Sequence, residues 1–258
     1  MLQLASANGI DTIDTAIGYG DSESCLGAAG IQAFRVVTKL PQLPPDVDDG
    51  AMWISRQVVG SLKRLGVTQL YGLLLHSPEQ LLGPNGKLIS RALQGLKDSG
   101  QIRKIGVSVY SPSDLEFATK ILRPDLVQAP LNLVDRRFHT SGWMQRLKDN
   151  GVEIHVRSVF LQGLLLLPLS AIPKKFLRWH DLWARWHRWL GDHHLSALQA
   201  CLMFPHSFPQ IDRIVVGADS VGQLAQIVHA TVGGQQGEFP DLDCECEDLI
   251  NPARWALL

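Results

Sequence analysis

Tyr71-Gly72-Leu73-Leu74-Leu75-His76 is a short apolar run that ends on a titratable side chain. Two earlier stretches end the same way, Ile10-Asp11-Thr12-Ile13-Asp14 and Arg35-Val36-Val37-Thr38-Lys39. Runs this short and this apolar read as buried strands of a parallel sheet. A charged group closing a buried strand is awkward for stability. A (β/α)8 barrel gathers such groups at the C-terminal mouth of its strands, where its chemistry is done. Asp14, Lys39 and His76 are therefore a candidate catalytic set, with Tyr19 just beyond the first strand.

Helical patterns follow these runs, and the alternation repeats down the chain. Asp21-Ser22-Glu23-Ser24 opens a helix with acidic residues and leads to Gly30. Residues 51–65 show apolar side chains at helical spacing and stop at Gly66; residues 87–99 do so and stop at Gly100. Residues 105–109 read as a strand, and Ser111-Pro112-Ser113-Asp114 as a helix start with Ser at the N-cap and Pro at the first helical position. A short strand over 126–129, a helix over 142–150 and a strand over 152–159 come next. Two helices over about 174–190 and 192–203 are expected to part at Gly191. The last strand is Ile214-Val215-Val216-Gly217 and the last clear helix spans 220–230.

Seven βα units imply a parallel sheet, either doubly wound or closed as a barrel. No Gly-x-Gly-x-x-Gly follows a strand, which removes the main pointer to an open dinucleotide-binding sheet. Polar or glycine residues end nearly every strand (Asp14, Lys39, His76, Ser108, Gln128, Ser158, Gly217), as a barrel with one active face requires. The expectation is an α/β (β/α)8 TIM barrel, one domain over 1–258 with a tail from about 232.

Composition narrows the function classes. With 45% hydrophobic and 19% charged residues, 258 residues can bury a large core, and a formal net charge of −1 without long runs of one sign gives no footprint for nucleic acid or anionic membrane. The longest apolar stretch, 159–169, is broken by Gln162, Gly163 and Pro168 and is too short to span a bilayer. No basic region or cleavage pattern marks a secretory leader at the start. The four cysteines (Cys25, Cys201, Cys244, Cys246) are scattered and form no disulfide framework. The expectation is a cytoplasmic protein.

Four segments, in order, resemble the aldo-keto reductase family. Asp14-Thr15-Ala16-Ile17-Gly18-Tyr19-Gly20 resembles its Asp-Thr-Ala-x-x-Tyr-Gly motif, Val37-Thr38-Lys39 its lysine strand, and Leu74-Leu75-His76 its histidine strand. Gly100-Gln101-Ile102-Arg103-Lys104-Ile105-Gly106-Val107-Ser108 resembles its Gly-Lys-Ile-Arg-x-Ile-Gly-Val-Ser segment. The likeness runs to about residue 230. It implies reduction of an aldehyde or ketone with NADP(H) or NAD(H), Tyr19 giving the proton.

The chemistry is coherent on its own terms. A tyrosine of pKa about 10 is a poor acid at neutral pH unless its phenolate is stabilised. An ammonium at Lys39 would supply that, Asp14 would hold Lys39 charged and oriented, and His76 would donate to the carbonyl oxygen. Taken singly, each has an ordinary alternative: Asp14 as a helix cap, Tyr19 as a loop anchor, Lys39 solvated beside Pro41, His76 as a core histidine. Taken together, in family order, they favour catalysis.

The resemblance also assigns cofactor positions. Ser108 and Gln128 match residues that contact the nicotinamide carboxamide, with Val109 standing where the family has asparagine. Ser158, Phe160, Gln162, Gly163 and Leu164 occupy the loop that covers the pyrophosphate. Gly217, Asp219, Ser220 and Gln223 lie where a strand runs into a helix N-terminus, and Ser220 with Gln223 reads as a capping box beside a phosphate site. NADP-using relatives carry a basic residue near Asp219; a carboxylate there would repel a 2′-phosphate and suit a ribose hydroxyl. The choice between NADPH and NADH stays open.

Two features depart from the family. Its N-terminal hairpin and first barrel strand have no counterpart here, so a chain truncated at its start is expected, with its activity in doubt. Trp179, Trp183, Trp186 and Trp189 step along one broad helix face beside His180, His187, His193 and His194. Core packing is expected there, with a homodimer surface as the alternative and no metal site, because no Cys/His spacing resembles a zinc motif. Cys244-Glu245-Cys246 is expected in an exposed tail without a role. A catalytically silent nicotinamide-binding barrel, serving as sensor or partner subunit, is the competing function. The partner is a small carbonyl compound whose identity lies in variable loops.

Overall fold

The computed structural model describes residues 1–231 and 238–257. Seven strands stand in chain order across the sheet: β1 (Thr12–Asp14), β2 (Arg35–Leu40), β3 (Leu70–Leu75), β4 (Ile102–Ser108), β5 (Leu126–Pro130), β6 (Glu153–Arg157) and β7 (Arg213–Ile214). The ladders are parallel, as strands joined through helical crossovers must be. This is the expected α/β barrel architecture with seven strands among the described residues.

The chain divides into two compact units, one of residues 2–128 and 147–154, the other of residue 1, 129–146 and 155–258. The first unit carries α1 (Leu2–Ala7), α2 (Ser22–Ala29), α3 (Gly50–Leu65), α4 (Gly86–Asp98) and α5 (Pro112–Ile121). Apolar residues at helical spacing on α3 (Ile54, Val58, Leu65) and α4 (Ile89, Leu93, Leu96) are the buried ones, as the periodicity requires. Strand side chains Val37, Leu74 and Leu126 form a buried cluster with Tyr71 packed on it. Ser111 and Pro112 start α5 as expected, and Asp114 Oδ2 accepts from Ser111 N at 2.9 Å and Tyr110 N at 2.8 Å. At Gly106 a Cβ would sit 1.7 Å from the Leu126 carbonyl oxygen, so only glycine lets β4 and β5 pair at that level.

The second unit carries α6 (Arg137–Thr140), α8 (His180–Asp192), α9 (Ala197–His206), α10 (Val221–Ala230) and α11 (Glu247–Ile250), and α7 (Trp143–Asp149) runs from the second unit into the first. The break expected at Gly191 lies further on. Helix α8 continues through Gly191 to Asp192, His194 takes a left-handed φ of 53°, and Ser196 caps α9 by accepting from Gln199 N. Residues 174–179 are 3-10 helix rather than the start of α8. Trp183 and Trp186 are fully buried, their indole N–H groups donating to Phe176 O (2.9 Å) and Leu165 O (3.1 Å), so the stripe is core there. The tail expected from about 232 begins outside the described residues, and beyond 238 it is docked: Leu242, Leu249 and Ile250 are buried and Cys244 N donates to Val134 O. Among the described residues no helix is long and apolar enough to cross a membrane.

Candidate active site

The first unit brings Asp14, Tyr19, Lys39 and His76 together at the C-terminal ends of β1, β2 and β3. Parallel register sets the level: Asp14 lies opposite Val37, and Lys39 opposite Leu74. Ladder bonds continue past the strand ends, from Ile17 N to Lys39 O (3.1 Å) and His76 N to Leu40 O (3.0 Å). Lys39, only 2% exposed, donates to Asp14 Oδ1 at 2.5 Å and to Thr15 O at 2.9 Å. A buried ammonium is tolerable only with such compensation, and this rules out the solvated alternative for Lys39. Its Nζ lies 5.4 Å from the Tyr19 ring centroid, and the Tyr19 and His76 rings meet edge to face at 5.7 Å and 77°. Tyr19 is 49% exposed, so its hydroxyl-bearing side chain remains open to small molecules.

Gln128 belongs to the same cluster. Its Nε2 donates to Asp14 Oδ2 at 2.7 Å, so one carboxylate bridges the lysine and the glutamine. Gln128 is fully buried, and among the described residues its Oε1 has no hydrogen-bond partner. Ser108 is its register partner across β4 and β5, also buried. Val109 donates its N–H to Gln128 O at 2.8 Å and offers no polar side chain.

Behind Lys39 sits a group that sequence reasoning treated only as a first-turn acid. Glu23 is 2% exposed, accepting from Thr38 Oγ1 (2.7 Å), Ser61 Oγ (2.5 Å), and Arg64 Nε and Nη2 (2.9 and 2.7 Å). It ties α2, β2 and α3 together on the far side of the strand that carries Lys39. A Cβ on Gly27 would lie 2.0 Å from Arg64 O, so glycine permits the helix approach that brings Glu23 to Arg64. A second missed cluster lies near the other strand ends. Tyr71 Oη donates to Glu153 Oε2 at 2.7 Å, and Lys104 pairs with the same carboxylate. Burial and then the Glu153 bond raise the Tyr71 pKa; for Lys104, burial lowers it but the bond and charge of Glu153 outweigh that and raise it. Groups at that end of barrel strands serve stability.

The remaining assigned residues lie in the second unit, on the segment after β6 and on the loop that runs from β7 into the first turn of α10. Ser158 (φ 60°), Leu161 (47°), Gln162 (53°) and Gly163 (84°) make a run of left-handed conformations after β6. Such strain in non-glycine residues is held by its surroundings. Asn132 Nδ2 donates to Ser158 O at 3.1 Å, and Leu161 and Leu164 are buried while Gln162 is exposed. Phe160 packs with Val216 and Ala218 against Leu202, Ile227 and Ala230, so both loops rest on one apolar cluster. Gly217, Asp219 and Ser220 are exposed. The expected capping box is half formed. Ser220 Oγ accepts from Gln223 N at 3.1 Å, but Gln223 Oε1 accepts from Asp219 N (2.7 Å) rather than from Ser220 N. Among the described residues no group of three or more His, Cys, Asp or Glu side chains is placed to hold a metal ion.

The model of the aldo/keto reductase family matches residues 1–234. The chain belongs to this family. Among curated aldo-keto reductases and their kin, the NADH-specific methylglyoxal reductase of Escherichia coli (strain K12) is 27% identical over 186 residues, 61% of this chain and 54% of that protein. The 6-dehydroglucose reductase of Agrobacterium fabrum is 27% identical over 172 residues, 58% of this chain and 57% of that protein. The chain thus spans about half the length of the curated relatives it matches. An aldo-keto reductase from Bacillus halodurans, solved in its apo form, has a similar fold with a TM-score of 0.71 at 21% identity, over 92% of this chain and 81% of that one.

Proposed function

We propose that this chain reduces an aldehyde or ketone to an alcohol with NAD(P)H. The observation that carries the reading is the buried Lys39–Asp14 pair with its ammonium 5.4 Å from the centre of the half-exposed Tyr19 ring. Tyr19 Oη gives its proton to the carbonyl oxygen as that oxygen becomes an alkoxide, and Lys39 stabilises the phenolate left behind. Asp14 keeps Lys39 charged and in place. His76 donates a hydrogen bond to the same oxygen and sets the substrate's angle. The chain's 1–258 residues act in this reading as one family domain, and no metal takes part in the scheme.

The residues fit a nicotinamide cofactor. The buried, partnerless Oε1 of Gln128 is an acceptor awaiting a donor, as the N–H of a carboxamide would be, and Ser108 stands beside it. Ser158, Phe160, Gln162, Gly163 and Leu164 would cover the pyrophosphate, and Gly217, Asp219, Ser220 and Gln223 would meet the adenosine end. The cofactor, when bound, supplies the hydride. Asp219 disfavours a 2′-phosphate by its charge, in keeping with the relative named NADH-specific. Asp219→Arg should move preference toward NADPH, and an unchanged ratio of the two affinities would remove Asp219 from the cofactor site.

The test is titration with NADH and NADPH by tryptophan fluorescence, then a panel of small carbonyl compounds including methylglyoxal, following nicotinamide absorbance. Turnover that disappears in Tyr19→Phe supports the reading; turnover unchanged in that variant ends it. A second reading, a silent nicotinamide-binding subunit, is favoured by Val109, which supplies no polar contact. Binding without turnover across the panel would select it. We place the protein in the cytoplasm, with any homodimer formed through the partly exposed Trp179 and Trp189 of the Trp-rich segment.

A further inference from the structure

A cavity of about 570 Å³ in the second unit is lined by Arg136, His139, Phe204, Ser207, Phe208, Glu238 and Phe239. None of these residues belongs to the catalytic or cofactor set. The three phenylalanines form a wall: Phe204 meets Phe208 edge to face at 5.2 Å and Phe239 at 5.1 Å, and the His139 ring lies 4.6 Å from Phe208. Arg136 stands over Phe204, its guanidinium carbon 5.1 Å from the ring centre.

The two neighbouring arginines differ sharply. Arg137 is satisfied by carboxylates, with Nε at 2.9 Å and Nη2 at 3.0 Å from Asp135 and Nη1 on Glu247. Among the described residues the hydrogen-bond partners of Arg136 are carbonyls, Leu133 O for Nε (3.0 Å) and Pro240 O for Nη2 (2.5 Å). Of an arginine's five N–H groups, two are thereby engaged and three are left among the described residues. Asp241 and Asp243 act on it electrostatically, but burial is the larger effect and its pKa is lowered. The half-buried charge is under-compensated, and a carboxylate fork would complete it.

We propose that this cavity binds a small aromatic carboxylate, its ring against Phe204, Phe208 and Phe239 and its carboxylate on Arg136. The volume suits a one- or two-ring ligand, since small-molecule sites run from roughly 300 to 1,000 Å³. Glu238, also on the lining, repels the carboxylate and so leaves one orientation, head toward Arg136. The inference stands apart from the reductase reading.

The experiment is calorimetric titration of the full chain with 1-naphthoate and, separately, with the uncharged 1-naphthamide. Saturable binding of the acid is expected, weakened about tenfold or more in the amide and in Arg136→Met, one charge-assisted fork being worth that much. Arg136→Met also loses bonds to Leu133 and Pro240, so thermal melting is measured beside it. If that variant is unfolded, Ser207→Trp, which fills the cavity from its lining, decides: binding should disappear with the melting curve retained. The proposal is overturned by no saturable binding of naphthoate, by equal affinity for acid and amide, by binding that survives Ser207→Trp, or by displacement of naphthoate by NADH.

Discussion

At Tyr19 a hydroxyl is all that separates the expected acid from a phenylalanine. Tyr19→Phe keeps the ring that packs on His76 and removes the proton, so steady-state turnover should fall by about 10²–10⁴-fold while the cofactor dissociation constant holds. Gln128→Leu tests a different part of the same cluster. It takes a donor from Asp14 Oδ2 and removes the buried acceptor Oε1, so nicotinamide affinity should weaken about tenfold, the worth of one neutral hydrogen bond, and kcat should drop with it as Asp14 loses its hold. Weaker binding at unchanged kcat would separate the acceptor from any hold on Asp14. Three of the four candidate catalytic residues, Asp14, Lys39 and His76, were legible because each closes an apolar run, and a run's end is visible in one dimension; Tyr19 was legible only from the motif that follows the first run. The bridge from Asp14 to Gln128 was not, because 114 positions separate the two and only the sheet brings them together.

Elements were legible to the extent that periodicity and caps are local. Apolar spacing placed α3 and α4 within a residue or two, and Ser111-Pro112 announced α5. Gly191 misled because glycine is a poor helix former, whereas the Ser196 cap supplied a stronger start for α9 a few residues later. Nothing local marked Glu23 as a hub, since its donors Thr38, Ser61 and Arg64 lie 15, 38 and 41 positions away on other elements. Glu23→Ala strands those donors and should lower unfolding stability by about 3 kcal/mol, the low end for breaking a buried pair because Arg64 stays partly exposed and screened. Denaturant midpoints measure it, and a loss no larger than a surface substitution's would show the hub to be dispensable. Gly106→Ala should cost more than about 3 kcal/mol or leave insoluble protein, because β4 must part from the Leu126 carbonyl to admit a methyl.

Across the molecule, titratable groups report on folding. Burial lowers the pKa of His187, whose Nε2 is buried and finds no hydrogen-bond partner among the described residues. The folded state therefore prefers the neutral ring, the unfolded state binds the proton more readily, and stability falls as pH drops through the ordinary histidine value toward the lower folded one. Urea midpoints should decrease between about pH 7.5 and pH 5, with a smaller decrease in His187→Phe. Burial also raises the Cys201 thiol well above its usual range, while Cys25 and Cys246 are exposed. A thiol reagent should label the exposed pair in native protein and reach Cys201 only on unfolding, and early labelling of Cys201 would contradict its burial.

The strand that carries Asp14 has a further consequence. Strand β1 is three residues long, each only partly buried, and among the described residues its ladder joins β2 alone. Short strands paired on one side are where a native protein opens first. Each such opening withdraws Asp14 from Lys39 while the remaining ladders stay closed. Heating should then weaken the proposed reductase activity before the chain melts: turnover would decline at temperatures where circular dichroism still reads a folded chain, with the amide protons of residues 12–14 exchanging ahead of those in β3 and β4.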